Sequence, residues 1–527
     1  MSTAAPTEYP EEIDGAVLKV AGVVVLGAIM SILDITVVNV ALPTFQRVFA
    51  DGGDPIAYST VAWTVTAYTL SLATVIPLTG WAADRFGTKR LYMLAILLFT
   101  IGSALCATAG SIEMLIGFRV LQGLGGGMLM PLGMTILTHA AGPKRMGRLM
   151  AILGVPMLLG PIGGPILGGY LIEHASWHWI FLINVPIGVI AIVYSWFALE
   201  NDSPTPSESF DFVGMLMMSP GLALFLFGVS SIPTDGVGSA KVLITGILGL
   251  ILIALFIRHT FKPKHPLLDL RLFKNKLLSM STITMFLFVA AFFGGLLLVP
   301  TYFQAVRGES TFDSGLLVAA QGIGAMITMP IAGALVDKMP VGRVVPFGLV
   351  GIIVGMFMLT QIDEHTSYWY ILPVLFLMGL GMGGTMMPIM TSALKTLKSH
   401  EIARGSTLIN IVQQIGSSVG VAVMSTVLTD RQKSSHFVKV GQALQEQAQH
   451  KPHPLPPTKE QLQVIAEAGG QKQFMAHALH DLAGSFSTTF WVAAVLCLLT
   501  VIPALMLPRK PLPEPAAGED AAPVMMH

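Results

Sequence analysis

Two charged residues stand where the surrounding sequence is otherwise apolar. Asp34 lies in SILDITVVNVALP, residues 31–43, and Arg119 lies in LIGFRVLQGLGGG. A lone charge is costly in hydrocarbon, so such residues pair with one another or mark a proton or ion pathway. A buried carboxylate can also exchange a proton when its burial or its neighbouring charges change. Proton transfer is therefore the first chemistry that the sequence indicates.

The elements that hold these residues must cross a bilayer. Of the 527 residues, 53% are hydrophobic and only 11% are charged, whereas a soluble domain carries about 25% charged residues. The formal net charge is zero, so no basic excess points to a nucleic-acid partner. The lipid bilayer is the expected environment, and we expect a multi-pass protein of the cell membrane.

Apolar runs of about 20 residues are long enough to cross hydrocarbon as helices. The sequence predicts an all-α membrane protein with fourteen spans, at 18–42, 58–81, 90–110, 112–138, 148–172, 178–199, 211–230, 241–257, 277–303, 314–336, 343–361, 369–393, 405–429 and 485–507. If both termini are cytoplasmic, most of the 30 Lys and Arg residues fall on the inner side. This bias predicts cytoplasmic N- and C-terminal tails.

Asp34 and Arg119 are expected at similar depths. Asp34 is about 13 Å from Pro43 at the outer end of span 1, and Arg119 is about 10 Å from Ile112 at the outer end of span 4. The two charges can therefore share a polar space between the helices. One interpretation is that Asp34 exchanges protons with alternating sides of the membrane, and the other is that the pair only fixes two helices.

Two sequence patterns recur about 255 residues apart. GWAADRFGTKR at 80–90 is echoed by GALVDKMPVGR at 333–343, and QGLGGGMLMP at 122–131 by MGLGMGGTMMP at 378–388. The repeat predicts two six-helix bundles that rock about a midplane site. The predicted divisions are a tail at 1–17, a bundle at 18–200, a linker with two inserted helices at 201–276, a bundle at 277–507 and a tail at 508–527. The second bundle includes an outer loop at 430–484, in which short amphipathic helices are expected.

The motifs together resemble a known family. GWAADRFGTKR, RVLQGLGGG and GPIGGPILGGYL resemble the major facilitator superfamily. LDITVVNVALP, WIFLINVPIG, HPLLDLRLF and the fourteen spans are similar to its multidrug:proton antiporter branch, the QacA/EmrB type. The resemblance covers about residues 18–507.

The resemblance implies a gating role for the first motif, in Gly80, Asp84, Arg85, Gly87, Lys89 and Arg90. Asp84 would cap the first helix after the 12–13 loop, near Gly405 and Ser406, and latch the inner gate while the transporter faces outward. The second copy has two extra residues between Asp337 and Gly342. This departure argues against a matching latch there.

GPIGGPILGGYL places small residues on one helix face and two prolines that bend it. The residues are Gly160, Pro161, Gly164, Pro165, Gly168 and Gly169. The family associates this pattern with antiport, although tight packing explains the same residues.

A substrate site is predicted from aromatic and amide side chains expected in a central cavity, where stacking and hydrogen bonds fix a ligand and the 30 methionines supply adaptable walls. The candidates are Trp63, Tyr68, Gln122, Gln321, Asn410 and Gln414. Gln122 lies three residues after Arg119 and is expected to share its helix face.

The expected function is proton-driven export of drugs or other amphipathic compounds, cationic or lipid-like, by an alternating-access antiporter that works as a monomer and holds no cofactor or metal. The alternatives are a proton-independent facilitator or a nutrient importer. A membrane-embedded enzyme is disfavoured because no nucleophile with a base, and no second buried acid, stands at matching depth. A channel is disfavoured because the sequence has no ring of like charges and no carbonyl filter.

Overall fold

The chain folds as a bundle of α-helices. The computed structural model describes residues 14–50, 56, 58–200, 209–395, 397–398, 401–449 and 456–509. The helices are α1 (Gly15–Val48), α2 (Tyr58–Phe86), α3 (Thr88–Ala107), α4 (Ile112–His174), α5 (Trp179–Leu182), α6 (Asn184–Ala198), α7 (Phe212–Asp235), α8 (Ala240–His259), α9 (Lys276–Ala305), α10 (Thr311–Lys338), α11 (Val341–Leu359), α12 (Tyr368–Gly383), α13 (Met386–Lys395), α14 (Ile402–Ser434), α15 (His436–Gln449), α16 (Lys459–Glu467) and α17 (Gln471–Leu505), with a 3-10 turn at Leu270–Lys274 before α9.

Hydrophobic length explains most of these helices. Within the described residues, 13 helical stretches are long and apolar enough to cross a membrane. They correspond to thirteen of the fourteen predicted spans, and the all-α membrane fold predicted from the sequence is confirmed. The remaining predicted span, 148–172, lies in the second half of α4.

The segment α4 reverses direction within its length, since its two halves meet the same stretch of α1 in opposite order. In the first half Arg119 contacts Asp34 and Gly133 lies against Val24, whereas in the second half Gly160 lies against Ile32 and Gly168 against Val37. Arg145, which is 3.7 Å from the carboxylate of Asp14 at the start of α1, lies near the turning point. The two halves of α4 therefore act as two antiparallel spans.

Three further regions differ from the predicted spans. The span at 178–199 divides into α5 and α6, and the span at 369–393 divides into α12 and α13 around Gly384 and Thr385. The outer loop at 430–484 carries α15 and α16, where short amphipathic helices are expected, and it is shorter than predicted because α14 continues to Ser434 and α17 already begins at Gln471. Between them, α15 and α16 share a small apolar cluster with α17, formed by Val440, Val464 and Phe474.

The sequence repeat reappears as a repeat of helix contacts. In the first copy Gly123 and Gly127 of α4 lie against the carbonyl groups of Tyr68 and Leu72 in α2. In the second copy Gly379 and Gly383 of α12 lie against the carbonyl groups of Gln321 and Ala325 in α10. Only glycine leaves room for these approaches, since an added Cβ atom would overlap the neighbouring backbone. The glycines of the repeated motif therefore set the helix spacing in both halves.

The inserted helices form an antiparallel hairpin beside the bundles. Gly228 of α7 lies against the backbone of Gly246 in α8, and α7 also packs on α2 and α14.

Asp211 closes the open end of the hairpin. Its carboxylate accepts from the amide of Gly214, 2.8 Å away, and from the amide of Leu267, 3.2 Å away, and it lies 2.8 Å from Nε2 of His259. This carboxylate joins the start of α7, the end of α8 and the segment that leads into α9.

The glycine contacts predict an unusual mutational response. Alanine normally stabilises a helix by about 1 kcal/mol relative to glycine. Gly379→Ala should instead lower the melting temperature of the detergent-purified protein, because its Cβ atom would overlap the Gln321 carbonyl oxygen. Gly117→Ala is the matched control, since nothing lies within 4 Å of a Cβ atom there. A Gly379→Ala protein that melts at or above the wild-type temperature would contradict this packing.

Candidate proton-coupling site

The carboxylate of Asp34 is buried in the interior of α1 and is held by three side chains. Only 1% of the residue is exposed. Arg119 forms an ion pair with Oδ2, while the side-chain amide nitrogen atoms of Gln122 and Asn184 donate to Oδ1 over 2.7 Å and 3.3 Å. The predicted contact between Asp34 and Arg119 is therefore present. Gln122 lies on the same helix face as Arg119, as predicted. Its amide group forms hydrogen bonds with both Arg119 and Asp34.

Arg119 is fully buried and is oriented by two helices. Its Nε atom donates to the carbonyl oxygen of Thr64 in α2 over 3.0 Å, and one terminal nitrogen donates to the Gln122 carbonyl oxygen over 2.7 Å. The guanidinium carbon lies 4.1 Å from the centre of the Tyr68 ring, an arrangement that favours a cation over the ring face. Planar stacking and directional hydrogen bonds fix the guanidinium in a way that a lysine ammonium could not reproduce.

Neutral polar residues extend the network around the two charges, while one terminal nitrogen of Arg119 has no hydrogen-bond partner among the described residues. The hydroxyl oxygen of Ser103 in α3 lies 2.6 Å from the Gln122 amide nitrogen and 3.3 Å from the Asn184 amide nitrogen. The hydroxyl of Tyr68 lies 3.3 Å from that of Ser31. Sequence analysis missed Ser103, Thr64 and Asn184, although Asn184 lies in the motif WIFLINVPIG and is a polar residue inside an apolar run.

The network suits a site whose charge can change. A buried ion pair is stable only when its remaining hydrogen-bonding groups are satisfied, and loss of one partner leaves a strongly unfavourable charge. A proton on Asp34 would remove the counter-ion of Arg119 and would give the carboxyl group a donor where it now only accepts. The neighbours on α1, α2, α3, α4 and α6 would then have to rearrange.

Asp84 lies at the far end of α2, where the first motif meets the second half of the chain. Its carboxylate is 3.3 Å from Nε of Arg404, in the first turn of α14. Gly80, one turn earlier, faces Ala403, Arg404 and Thr407. The sequence placed Asp84 near Gly405 and Ser406, and the structure places it at the same helix end.

The second copy of the motif also contacts the other half of the chain, although its two extra residues argued against a matching latch. Asp337 accepts from the backbone amide of Gly147 in α4 over 2.9 Å and lies 3.3 Å from Nζ of Lys395 and 3.6 Å from Nε of Arg148. Gly333, one turn earlier, lies against the Gly147 backbone. The two extra residues follow Asp337, so they lengthen the loop without moving the carboxylate from the end of α10.

The other residues of the first motif have separate positions. Gly87 has φ of 87° between α2 and α3, a conformation that favours glycine. Lys89 donates to the carbonyl oxygen atoms of Trp196 and Leu199, 2.9 Å and 2.5 Å away, and so binds the end of α6. Arg85 is half-buried and Arg90 is exposed beside it.

The glycines of GPIGGPILGGYL face α1. Gly160 lies against Ile32, Gly164 against Thr36 and Gly168 against Val37, whereas Gly169 has no neighbour within 4 Å. The side chains of Pro161 and Pro165 lie outside the described part of the structure. This face of α4 therefore brings a glycine stripe next to the helix that carries Asp34.

The six substrate candidates occupy different environments. Tyr68 and Gln122 belong to the charged network. Trp63 stacks on Phe227 of the inserted helix α7, with ring centres 5.5 Å apart, so it lies at that interface and not in the expected central cavity.

The other three candidates lie in the second half of the chain. Asn410 donates to the carbonyl oxygen of Ser406 over 2.8 Å and its amide nitrogen is 3.1 Å from the sulfur of Met134. Gln414 is half-buried. Gln321 is buried, and neither atom of its amide has a partner among the described residues. The contacts of the described residues do not bring Trp63 together with these three side chains.

The chain is similar to curated transporters over most of its length. It is 45% identical over 519 residues to "Multidrug resistance protein B homolog" of Mycobacterium tuberculosis, covering 95% of this chain and 92% of the relative. It is 32% identical over 409 residues to "Uncharacterized MFS-type transporter YhcA" of Bacillus subtilis, covering 78% of this chain and 76% of the relative.

A solved structure supports the same fold. The crystal structure of the human organic anion transporter MFSD10 matches with a TM-score of 0.57 at 15% identity, covering 93% of this chain and 100% of that structure. The sequence pattern of the Major Facilitator Superfamily matches residues 24–421. The helices, the two repeated glycine contacts and these similarities agree, and the chain belongs to the Major Facilitator Superfamily of membrane transporters.

Proposed function

We propose that this transporter exports amphipathic small molecules in exchange for protons, with Asp34 as the proton-binding group. The observation that carries the proposal is the buried ion pair of Asp34 and Arg119 inside a hydrogen-bonded network. A static contact between spans is made at lower cost by small or apolar residues. A buried charge pair that joins five helices supports a role in which the charge state changes.

Coupling follows if the proton and the substrate favour different arrangements of the two bundles. The predicted bundles are residues 18–200 and 277–507, and they meet through Asp84 with Arg404 and through Asp337 with the Gly147 region. We interpret both contacts as closures of the cytoplasmic side. Protonation of Asp34 would loosen Arg119 and allow α1 and α4 to shift, and α4 also carries Gly147.

The chemistry of the spans favours an amphipathic substrate. Within the described residues of the spans, the one carboxylate buried at mid-depth is Asp34, and Arg119 already neutralises it. A cation would have to compete with that guanidinium, whereas a neutral amphipathic molecule could bind by apolar contact and by hydrogen bonds to groups such as Gln321. The Mycobacterium tuberculosis relative is named for multidrug resistance, which agrees with broad apolar recognition.

The proposal includes the environment of the protein. The Lys and Arg distribution supports both termini on the cytoplasmic side of the cell membrane. The site is built within one chain, since five helices of the same chain supply all its described contacts, and we propose that one chain suffices for transport.

Replacing the carboxylate tests proton coupling. Asp34→Asn should abolish efflux that is driven by an imposed pH gradient in proteoliposomes, because an amide of the same shape cannot carry the proton. Glu113→Gln is the matched control on α4, since Glu113 is exposed in the first turn, and it should retain wild-type transport. Gradient-driven efflux by Asp34→Asn would exclude Asp34 as the coupling group, and wild-type efflux that ignores the gradient would favour a facilitator.

The ion pair also predicts a non-additive stability effect. Asp34→Asn leaves Arg119 buried without its counter-ion, which is expected to cost about 3–5 kcal/mol. The double variant Asp34→Asn/Arg119→Gln removes both charges and should melt at a higher temperature than Asp34→Asn alone, while still failing to couple transport to protons. Thermal unfolding in detergent measures this. Equal melting temperatures for the single and double variants would show that the charges are not energetically coupled.

The contact at Asp84 predicts control of access from the cytoplasm. Thr407 is buried and faces Gly80 across the two halves of the chain, so Thr407→Cys in a background of Cys106→Ser and Cys497→Ser reports when they separate. Adding Asp84→Asn should increase the rate of alkylation by a maleimide severalfold, because Arg404 loses its partner. Adding Asp363→Asn, at an exposed acid outside the spans, is the control. An unchanged rate with Asp84→Asn would show that this contact does not hold the two halves together.

A further inference from the structure

A second polar site lies at the junction of α2 and α3, away from Asp34. Arg85, Phe86, Arg90, Leu91 and Leu94 surround a cleft of about 380 Å³. The two guanidinium groups are on the same cleft as three apolar side chains. The cleft therefore has a basic part and an apolar part, which fit a ligand that has an anionic group and an apolar chain.

The two arginines are available to a ligand. Neither Arg85 nor Arg90 has an ion-pair or hydrogen-bond partner for its guanidinium among the described residues. Neighbouring charges in the same motif are already used, since Asp84 pairs with Arg404 and Lys89 binds the end of α6. Two guanidinium groups without a counter-ion on one cleft favour binding of a phosphate group, because each arginine can donate two parallel hydrogen bonds to phosphate oxygen atoms.

The apolar part of the cleft continues along the outside of α3. Leu94, Leu97 and Ile101 are 46%, 44% and 43% exposed and follow one another at helical spacing. Phe86, which also lines the cleft, is 52% exposed. An acyl chain can run along this stripe while its headgroup stays at the arginines, whereas free phosphate would use none of the apolar surface.

We propose that this cleft binds one anionic phospholipid of the cytoplasmic leaflet, with the phosphate at Arg85 and Arg90 and an acyl chain along Leu94, Leu97 and Ile101. Basic pockets between membrane helices on the cytoplasmic side bind such headgroups, and each basic residue contributes measurably to the attraction. The cleft joins α2, which carries Asp84, to α3, which carries Ser103. A bound lipid therefore stabilises the positions of the helices on which the latch and the charged network depend.

Native mass spectrometry of the purified full chain tests the proposal with phosphatidylglycerol and phosphatidylcholine of the same acyl chains. The wild type should retain one phosphatidylglycerol more strongly than phosphatidylcholine. Arg85→Gln/Arg90→Gln should weaken phosphatidylglycerol binding about thirtyfold and leave phosphatidylcholine binding unchanged. Lys338→Gln/Arg343→Gln, at two exposed residues in the second copy of the motif, is the matched control and should change binding less than about twofold.

A second variant separates the shape of the cleft from its charge. Leu94→Trp fills the cleft but keeps both arginines, and it should also weaken phosphatidylglycerol binding without altering the melting temperature of the lipid-free protein. Millimolar inorganic phosphate should not displace the lipid. Equal retention of the two lipids by the wild type, equal losses in the two double variants, or full displacement by inorganic phosphate would each overturn the proposal.

Discussion

The buried ion pair of Asp34 and Arg119 is the constraint on which the first half of the chain depends. A charge inside a membrane protein is tolerated only when protein groups replace the water that it has lost. Gln122, Asn184 and Thr64 supply those groups from three different helices, and Ser103 in a fourth helix accepts from the amides of Gln122 and Asn184. The glycine contacts of α4 with its neighbours bring these helices close enough for the side chains to meet.

Sequence reasoning located the two charges because a charged residue inside an apolar run is conspicuous and helix rise gives its depth. It could not locate Ser103 or Thr64, since neutral polar residues are common in spans and their contacts depend on how each helix is rotated about its axis. It also assigned Trp63 to a central cavity, whereas that ring stacks on Phe227 of an inserted helix. No local sequence pattern indicates which helices the inserted pair, α7 and α8, packs against.

The fold was predictable to the extent that hydrophobic length and internal repetition determine it. The spans and the repeated motifs follow from those two signals. The contact at Asp337 was not predicted because the two copies were compared by the spacing after the acid, whereas the contact depends on the position of that carboxylate at the end of α10. The helical extensions of α14 and α17 beyond their apolar runs were missed because hydropathy marks the membrane-facing part of a helix and not its end.

The two halves share a glycine framework but differ in how their buried polar groups are satisfied. In the first half the amides of Gln122 and Asn184 bind the Asp34 carboxylate, and the buried atoms without a partner among the described residues are one terminal nitrogen of Arg119 and the indole nitrogen of Trp81. In the second half Ser281, Thr282, Gln321 and Thr391 have buried polar atoms without a partner among the described residues, and a buried polar atom gains stability when it finds a hydrogen-bond partner. Opening the second half to water or to a solute therefore recovers hydrogen bonds that the first half already makes.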